Sequence, residues 1–163
     1  MITLYLDMDG VLCDFDKAYK ALRTGAPDNT KRFRSAVLDH KLFETLELMP
    51  DATQLLAHVK TLRLHVEMLT SVGTHDPFQG EETKRQKTLW LSKHNITYKA
   101  NFVGSKPEKA KYASPLSILI DDSVGCTLPF EAQGGWSILH TSAKSSIASL
   151  DNLLLQLSAG ALE

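Results

Sequence analysis

Short apolar runs separated by longer amphipathic segments constrain this chain more than any other feature. The runs cover residues 2–6, 64–69, 100–103, 116–120 and 135–139. Each has the length of a strand and is too short to cross a bilayer, which takes about 20 apolar residues. Between them, residues 50–62 place Leu55, Leu56, Val59 and Leu62 on one face, with Pro50 as a first-turn proline. Residues 81–94 read as a second helix stopped by Asn95, and 107–112 as a short third. Residues 123–133 read as a helix with Pro129 at a kink or break. Residues 144–157 close the chain with Ile147, Leu150, Leu154 and Leu157 inward. Strands alternating with helices predict βα units and a parallel sheet. Right-handed crossovers then cover both faces with helices. The expected class is α/β, a three-layer sandwich around a parallel sheet of about five strands.

Residues 14–49 break the alternation. "FDKAYKALR" and "TKRFRSAVLDHKLFETL" read as helices split by the turn-rich "TGAPDN". The expectation is a small helical cap over residues 14–49, inserted after strand one, with residues 1–13 and 50–163 as the core domain. A length of 163 residues suits one domain with a sizeable core. A net charge of −1 argues against a nucleic-acid groove or a membrane-surface partner. The start has no basic leader segment, and Cys13 and Cys126 have no CxxC spacing, so a reduced, cytoplasmic protein is expected.

In parallel α/β sheets ligands bind beyond the carboxyl ends of the strands. The polar residues following each run are therefore informative. They are Asp7 and Asp9, then Thr70, Ser71 and Gly73, then Gly104, Ser105 and Lys106, then Asp121 and Asp122. Adjacent parallel strands bring these groups to one crevice. Four crowded carboxylates cannot all stay ionised without a cation, and hard oxygen ligands suit Mg²⁺. A calcium-binding EF-hand loop does not fit, because counting from Asp7 puts Leu12 where the glycine belongs and Ala18 where the glutamate belongs. No His or Cys pair has zinc-ligand spacing.

A Mg²⁺ beside a lysine and hydroxyl donors makes a phosphate site. One carboxylate can attack phosphorus directly, and a second can protonate the departing alkoxide and later activate water. Asp7 and Asp9, two residues apart on an extended chain, share a face and supply such a pair. Gly10 then lets the backbone turn away.

Asp7-Met8-Asp9-Gly10-Val11, Thr70, Lys106 and Asp121-Asp122, in this order at strand ends, resemble the haloacid dehalogenase-like (HAD) phosphatase superfamily. The resemblance covers most of the chain. It implies that Asp7 is the nucleophile and Asp9 the general acid/base. It implies that Thr70, assisted by Ser71, and Lys106 bind the phosphate. Asp7, Asp9 through its backbone carbonyl, and Asp122 are the implied Mg²⁺ ligands, with Asp121 in support. Within the superfamily, "DMDGVLCDF", "FETLELMPDATQLLAHVKTL", "LTSVG" and "KTLWLSKHNI" resemble the 5'(3')-deoxyribonucleotidase branch. Phe15 falls where that branch stacks an aromatic on the base, and Phe33 and Phe43 are further candidates for the same wall. The insertion here is shorter, and the loop after Thr70 lacks that branch's proline. The expected activity is a Mg²⁺-dependent phosphomonoesterase acting on nucleoside monophosphates. The alternatives are a sugar-phosphate phosphatase, a polynucleotide 3'-phosphatase and a catalytically silent nucleotide- or phosphate-binding protein.

The remaining polar residues have plainer readings. Lys109 and Lys111 are expected in solvent on the helix after Lys106. "GEETKRQK" reads as a solvated helix start whose acids suit the helix dipole. His75 and Asp76 read as a solvated loop, Trp90 and Trp136 as packing, both cysteines as small buried hydrophobes, and Asp14 and Asp16 as the structural start of the cap.

Overall fold

The computed structural model describes residues 1–160. Its strands are β1 (Thr3–Leu6), β2 (His65–Ser71), β3 (Ala100–Val103), β4 (Ser117–Asp121) and β5 (Trp136–Leu139). They form a parallel sheet in the order β3-β2-β1-β4-β5. Leu6 of β1 lies opposite Met68 on one side and Ile120 on the other. Every predicted run is a strand, and two reach further than the apolar pattern does. Ser71 still pairs with Val103, and Asp121 with Leu139, so these polar residues end strands instead of starting loops. β4 is buried along its whole length, as a strand covered on both faces must be.

The connections explain the layers. The chain moves from β1 to β2 to β3 in one direction, then returns across the sheet to β4 and β5. Right-handed crossovers therefore put α3 (Ala52–Thr61) and α4 (Pro77–Lys93) on one face, where α6 (Ala143–Gly160) joins them. Leu4, Leu6, Leu55, Val59, Trp90 and Leu150 share the core of that face. The 3₁₀ helix Lys106–Tyr112 and α5 (Val124–Ala132) cover the other face, where Leu69, Val103 and Leu119 meet Cys126 and Phe130. Tyr5 packs edge-on against Tyr112 there, at 5.5 Å between ring centres. α5 runs through Pro129 without a break, and Trp136 stays partly open on the edge strand with its indole N–H donating to Pro115 O at 3.0 Å.

Residues 14–49 carry α1 (Phe15–Ala21), α2 (Asn29–Leu38) and a 3₁₀ turn at Leu42–Glu44. Asp14 and Asp28 cap the two helices by accepting from Lys17 N and Lys31 N. The second predicted helix stops at Leu38 because the chain turns at Lys41, whose φ is +51°. This segment does not build a core of its own, and Val37, Leu42, Phe43 and Leu46 join the main cluster. α4 holds it through buried bonds. Gln86 accepts from Phe43 N at 3.1 Å and donates to Val37 O at 2.8 Å, and Trp90 Nε1 donates to Leu46 O at 2.8 Å. Among the described residues no helix is long and apolar enough to cross a membrane.

Candidate active site

β1 is the central strand, so its end is where the chain order reverses across the sheet. Asp7 extends the pairing by one residue, its amide donating to Ile120 O at 3.0 Å. The chain then curls sharply, and the amides of Val11, Leu12 and Cys13 all point at Met8 O. Gly10 makes this possible with φ +82°. It also makes room, because a Cβ there would sit 1.9 Å from Asp122 Oδ2. Gly10→Ala should therefore displace Asp122. On the phosphatase reading proposed below, the expected result is a loss of roughly hundredfold or more in turnover, together with a smaller rise in unfolding temperature on adding Mg²⁺ than the wild type should show. Thermal melts with and without Mg²⁺ check this.

Asp7, Asp121 and Asp122 each offer a carboxylate oxygen within 4.8 Å of the others. The ammonium of Lys109 lies between two of them, 2.9 Å from Asp7 Oδ1 and 2.6 Å from Asp121 Oδ2. Burial opposes the charge on Lys109, and Asp7 and Asp121 override it, so its pKa is raised. Burial pushes the Asp121 carboxyl up, Asp7 adds to the shift, and Lys109 works against it. Asp122 is pushed up to about 7, by burial of its carboxylate first and then by Asp7 and Asp121. With all three carboxylates ionised, one ammonium leaves the cluster two negative charges, and the raised Asp122 and Asp121 carboxyls show how strongly a further cation is favoured there. Its donors are all hard oxygens. Both properties fit a magnesium ion.

Asp9 stands apart from this group. Its Oδ2 accepts from Lys87 Nζ at 3.0 Å and its Oδ1 from the Cys13 thiol at 3.3 Å. Burial, and then the charge of Asp9, hold the Cys13 thiol well above its usual pKa, so it remains a donor. Lys87 also donates to Thr70 Oγ1 at 2.6 Å and to Ser71 O at 2.9 Å.

A cavity of about 760 Å³ opens over these groups. Asp7, Asp9, Ser71, Lys106, Lys109, Asp121 and Asp122 line it, as do Phe15, Phe33, Phe43 and Met49. Thr70 is fully buried and does not border it. Asp14 and Asp16, expected to be structural only, both line it, as do His75 and His140. Phe15 lies near-parallel to Tyr19 and to Phe43, at 5.1 and 5.7 Å between ring centres.

Two lysines depart from expectation. Lys109 is not solvated but 1% exposed, and its ammonium, not that of Lys106, meets the Asp7 and Asp121 carboxylates. Lys106 is exposed at the rim, donating to Ser123 Oγ at 3.2 Å. Both belong to one 3₁₀ helix, in which residues three apart share a face. Lys87 closes the supposedly solvated run "GEETKRQK" but is 0% exposed, because Thr83, Lys87, Trp90 and Leu91 form the inner stripe of α4. His75 is exposed but bound, its Nε2 lying 3.1 Å from Glu108 Oε1.

No protein-family model and no curated protein matches the chain. Solved structures do. D,D-heptose 1,7-bisphosphate phosphatase from Burkholderia thailandensis is 11% identical with a TM-score of 0.57, over 92% of this chain and 98% of that one. A hydrolase from Streptococcus pneumoniae TIGR4 is 16% identical with a TM-score of 0.55, over 91% and 97%. A HAD-family enzyme from Bacteroides thetaiotaomicron, solved with magnesium and inorganic phosphate, is 15% identical with a TM-score of 0.50, over 87% and 95%. The chain has the HAD-like fold. In that fold the carboxylate cluster lies at the switch point of the sheet, and Phe15, Phe33, Phe43 and Met49 of residues 14–49 line the same cavity.

Proposed function

We propose that the chain is a Mg²⁺-dependent phosphomonoesterase working through an aspartyl-phosphate, with a nucleoside monophosphate as its preferred substrate. One observation carries this reading. A single cavity joins a cluster of Asp7, Asp121, Asp122 and Lys109 to a wall of Phe15, Phe33 and Phe43. The cluster suits a phosphate, and the aromatic wall suits the flat apolar face of a base.

Lys109 holds Oδ1 of Asp7 and leaves Oδ2 to attack phosphorus. The ester oxygen departs with a proton from Asp9. Asp9 then takes a proton from water, whose oxygen attacks the same phosphorus and returns Asp7 and inorganic phosphate. Asp7, Asp121 and Asp122 would hold Mg²⁺, which when bound neutralises charge on the phosphoryl oxygens. Ser71 and Lys106 border the cavity where the phosphate would sit, and Thr70 supports them from behind.

A sugar phosphate is the second reading, favoured by Asp14 and Asp16, whose carboxylates can accept from hydroxyls along the same wall. A polynucleotide fits less well, because Asp14 and Asp16 also line the cavity and repel the further phosphates of a chain. Phosphate release from dTMP and dUMP, compared with hexose phosphates in the presence of Mg²⁺, decides between the first two. Phe15→Ala should raise KM for the nucleotides about ten- to hundredfold, the value of one base–aromatic stack, and leave KM for sugar phosphates nearly unchanged. An equal effect on both classes rejects the stacking wall. A chain that binds nucleotides with no turnover is a binding protein instead.

A further inference from the structure

We propose that Lys87 is a positioning residue that holds Asp9 where it can exchange a proton with the departing ester oxygen. The proposal rests on the phosphomonoesterase reading above. Lys87 rises from the middle of α4 and is 0% exposed. An ammonium has three hydrogens, and here each has an acceptor: Asp9 Oδ2 at 3.0 Å, Thr70 Oγ1 at 2.6 Å and Ser71 O at 2.9 Å. The same ammonium lies 4.7 Å from the centre of the Phe43 ring.

Burying a charge in this way is a poor means of stabilising a fold, since an apolar side chain of similar volume does as well or better. The neighbours of Lys87 on the inner stripe of α4, Thr83, Trp90 and Leu91, include no other charge. What the ammonium supplies is direction. Asp9 sits in a tight turn, and among the described residues its one other side-chain partner is the Cys13 thiol at 3.3 Å, a weak donor. Lys87 is the stronger of the two holds. It ties Asp9 to the end of β2, two residues from Gly73 and beside Ser71, which borders the cavity. Without it, the Asp9 carboxylate keeps its place in the chain but not its orientation.

The test is a leaving-group comparison that a purely structural role would not alter. Phenyl phosphate and p-nitrophenyl phosphate have similar shape, but nitrophenolate leaves without a proton far more readily than phenolate does. Wild type, Lys87→Met and Lys87→Gln are assayed with Mg²⁺ for kcat/KM on both esters, after thermal melts establish cooperative folding. Lys87→Met should lose at least about tenfold more activity toward phenyl phosphate than toward p-nitrophenyl phosphate. If Lys87→Met does not fold, Lys87→Gln carries the same comparison, because it removes the charge and the full reach of the lysine but leaves a polar group in the polar interior of α4. Equal losses on both esters overturn the proposal and leave the phosphatase reading standing. A wild type inert toward both esters overturns that reading and the proposal with it.

Discussion

Asp7→Asn is expected to abolish phosphomonoester hydrolysis, lowering turnover by about 10⁴-fold or more, as loss of a nucleophile does elsewhere. The fold should persist. Asparagine has the size of aspartate, and the amide of residue 7 still donates to Ile120 O. Lys109 keeps its 2.6 Å contact with Asp121, while one of the three mutually repelling carboxylates is gone. Steady-state assay of p-nitrophenyl phosphate hydrolysis with Mg²⁺, alongside a thermal melt, measures both halves of the statement. A folded mutant with full activity would sink the aspartyl-phosphate mechanism.

Lys109→Met should have the largest effect on stability. It leaves Asp7, at 5% exposed, and Asp121, at 0%, facing one another without a cation. Breaking a buried pair by removing one partner costs about 3–5 kcal/mol. For a chain of this size that lowers the unfolding midpoint by roughly 10 °C. The deficit should shrink on acidification. The ammonium is needed only while the carboxylates are ionised, and Asp121, already pushed up by burial, takes its proton early as pH falls. Lys106→Met provides the contrast. Its ammonium meets only Ser123 Oγ at the exposed rim, so the midpoint should barely move. A melt in which Lys106→Met is the more damaging of the two would reverse the division between the lysines.

The sheet was largely legible, because buried strands must be apolar runs and helices must separate parallel ones. Leu4 and Leu6 before Asp7, and Ile118 to Ile120 before Asp121, read directly as strands leading into carboxylates. Lys109 did not read directly, because charge in a sequence says nothing about which side of a helix it occupies. A signal was nonetheless present. Ser105 and Glu108 form a capping box that fixes the start of the 3₁₀ helix, and Tyr112, three residues after Lys109, packs on Tyr5. Counting inward from Tyr112 would have put Lys109 on the buried face. Lys87 hid for a related reason. The buried face of α4 holds Gln79, Thr83, Gln86 and Lys87 beside Trp90 and Leu91, so an apolar stripe is absent although the spacing is helical. Polar interiors belong to sites, and apolar periodicity cannot detect them.

The grip of α4 on residues 37–46 bears on how substrates are chosen. Swinging that stretch aside as one body would break the Gln86 and Trp90 hydrogen bonds and expose the core side chains Val37, Leu42, Phe43 and Leu46, at about 1.5–3 kcal/mol for each large apolar side chain. The roof is therefore a standing fixture and not a shutter. A standing roof acts as a gauge: it rejects oversized molecules at first encounter and needs no slow closing phase afterwards. Discrimination by size should then appear in association rates, with single-exponential binding for every ligand that fits.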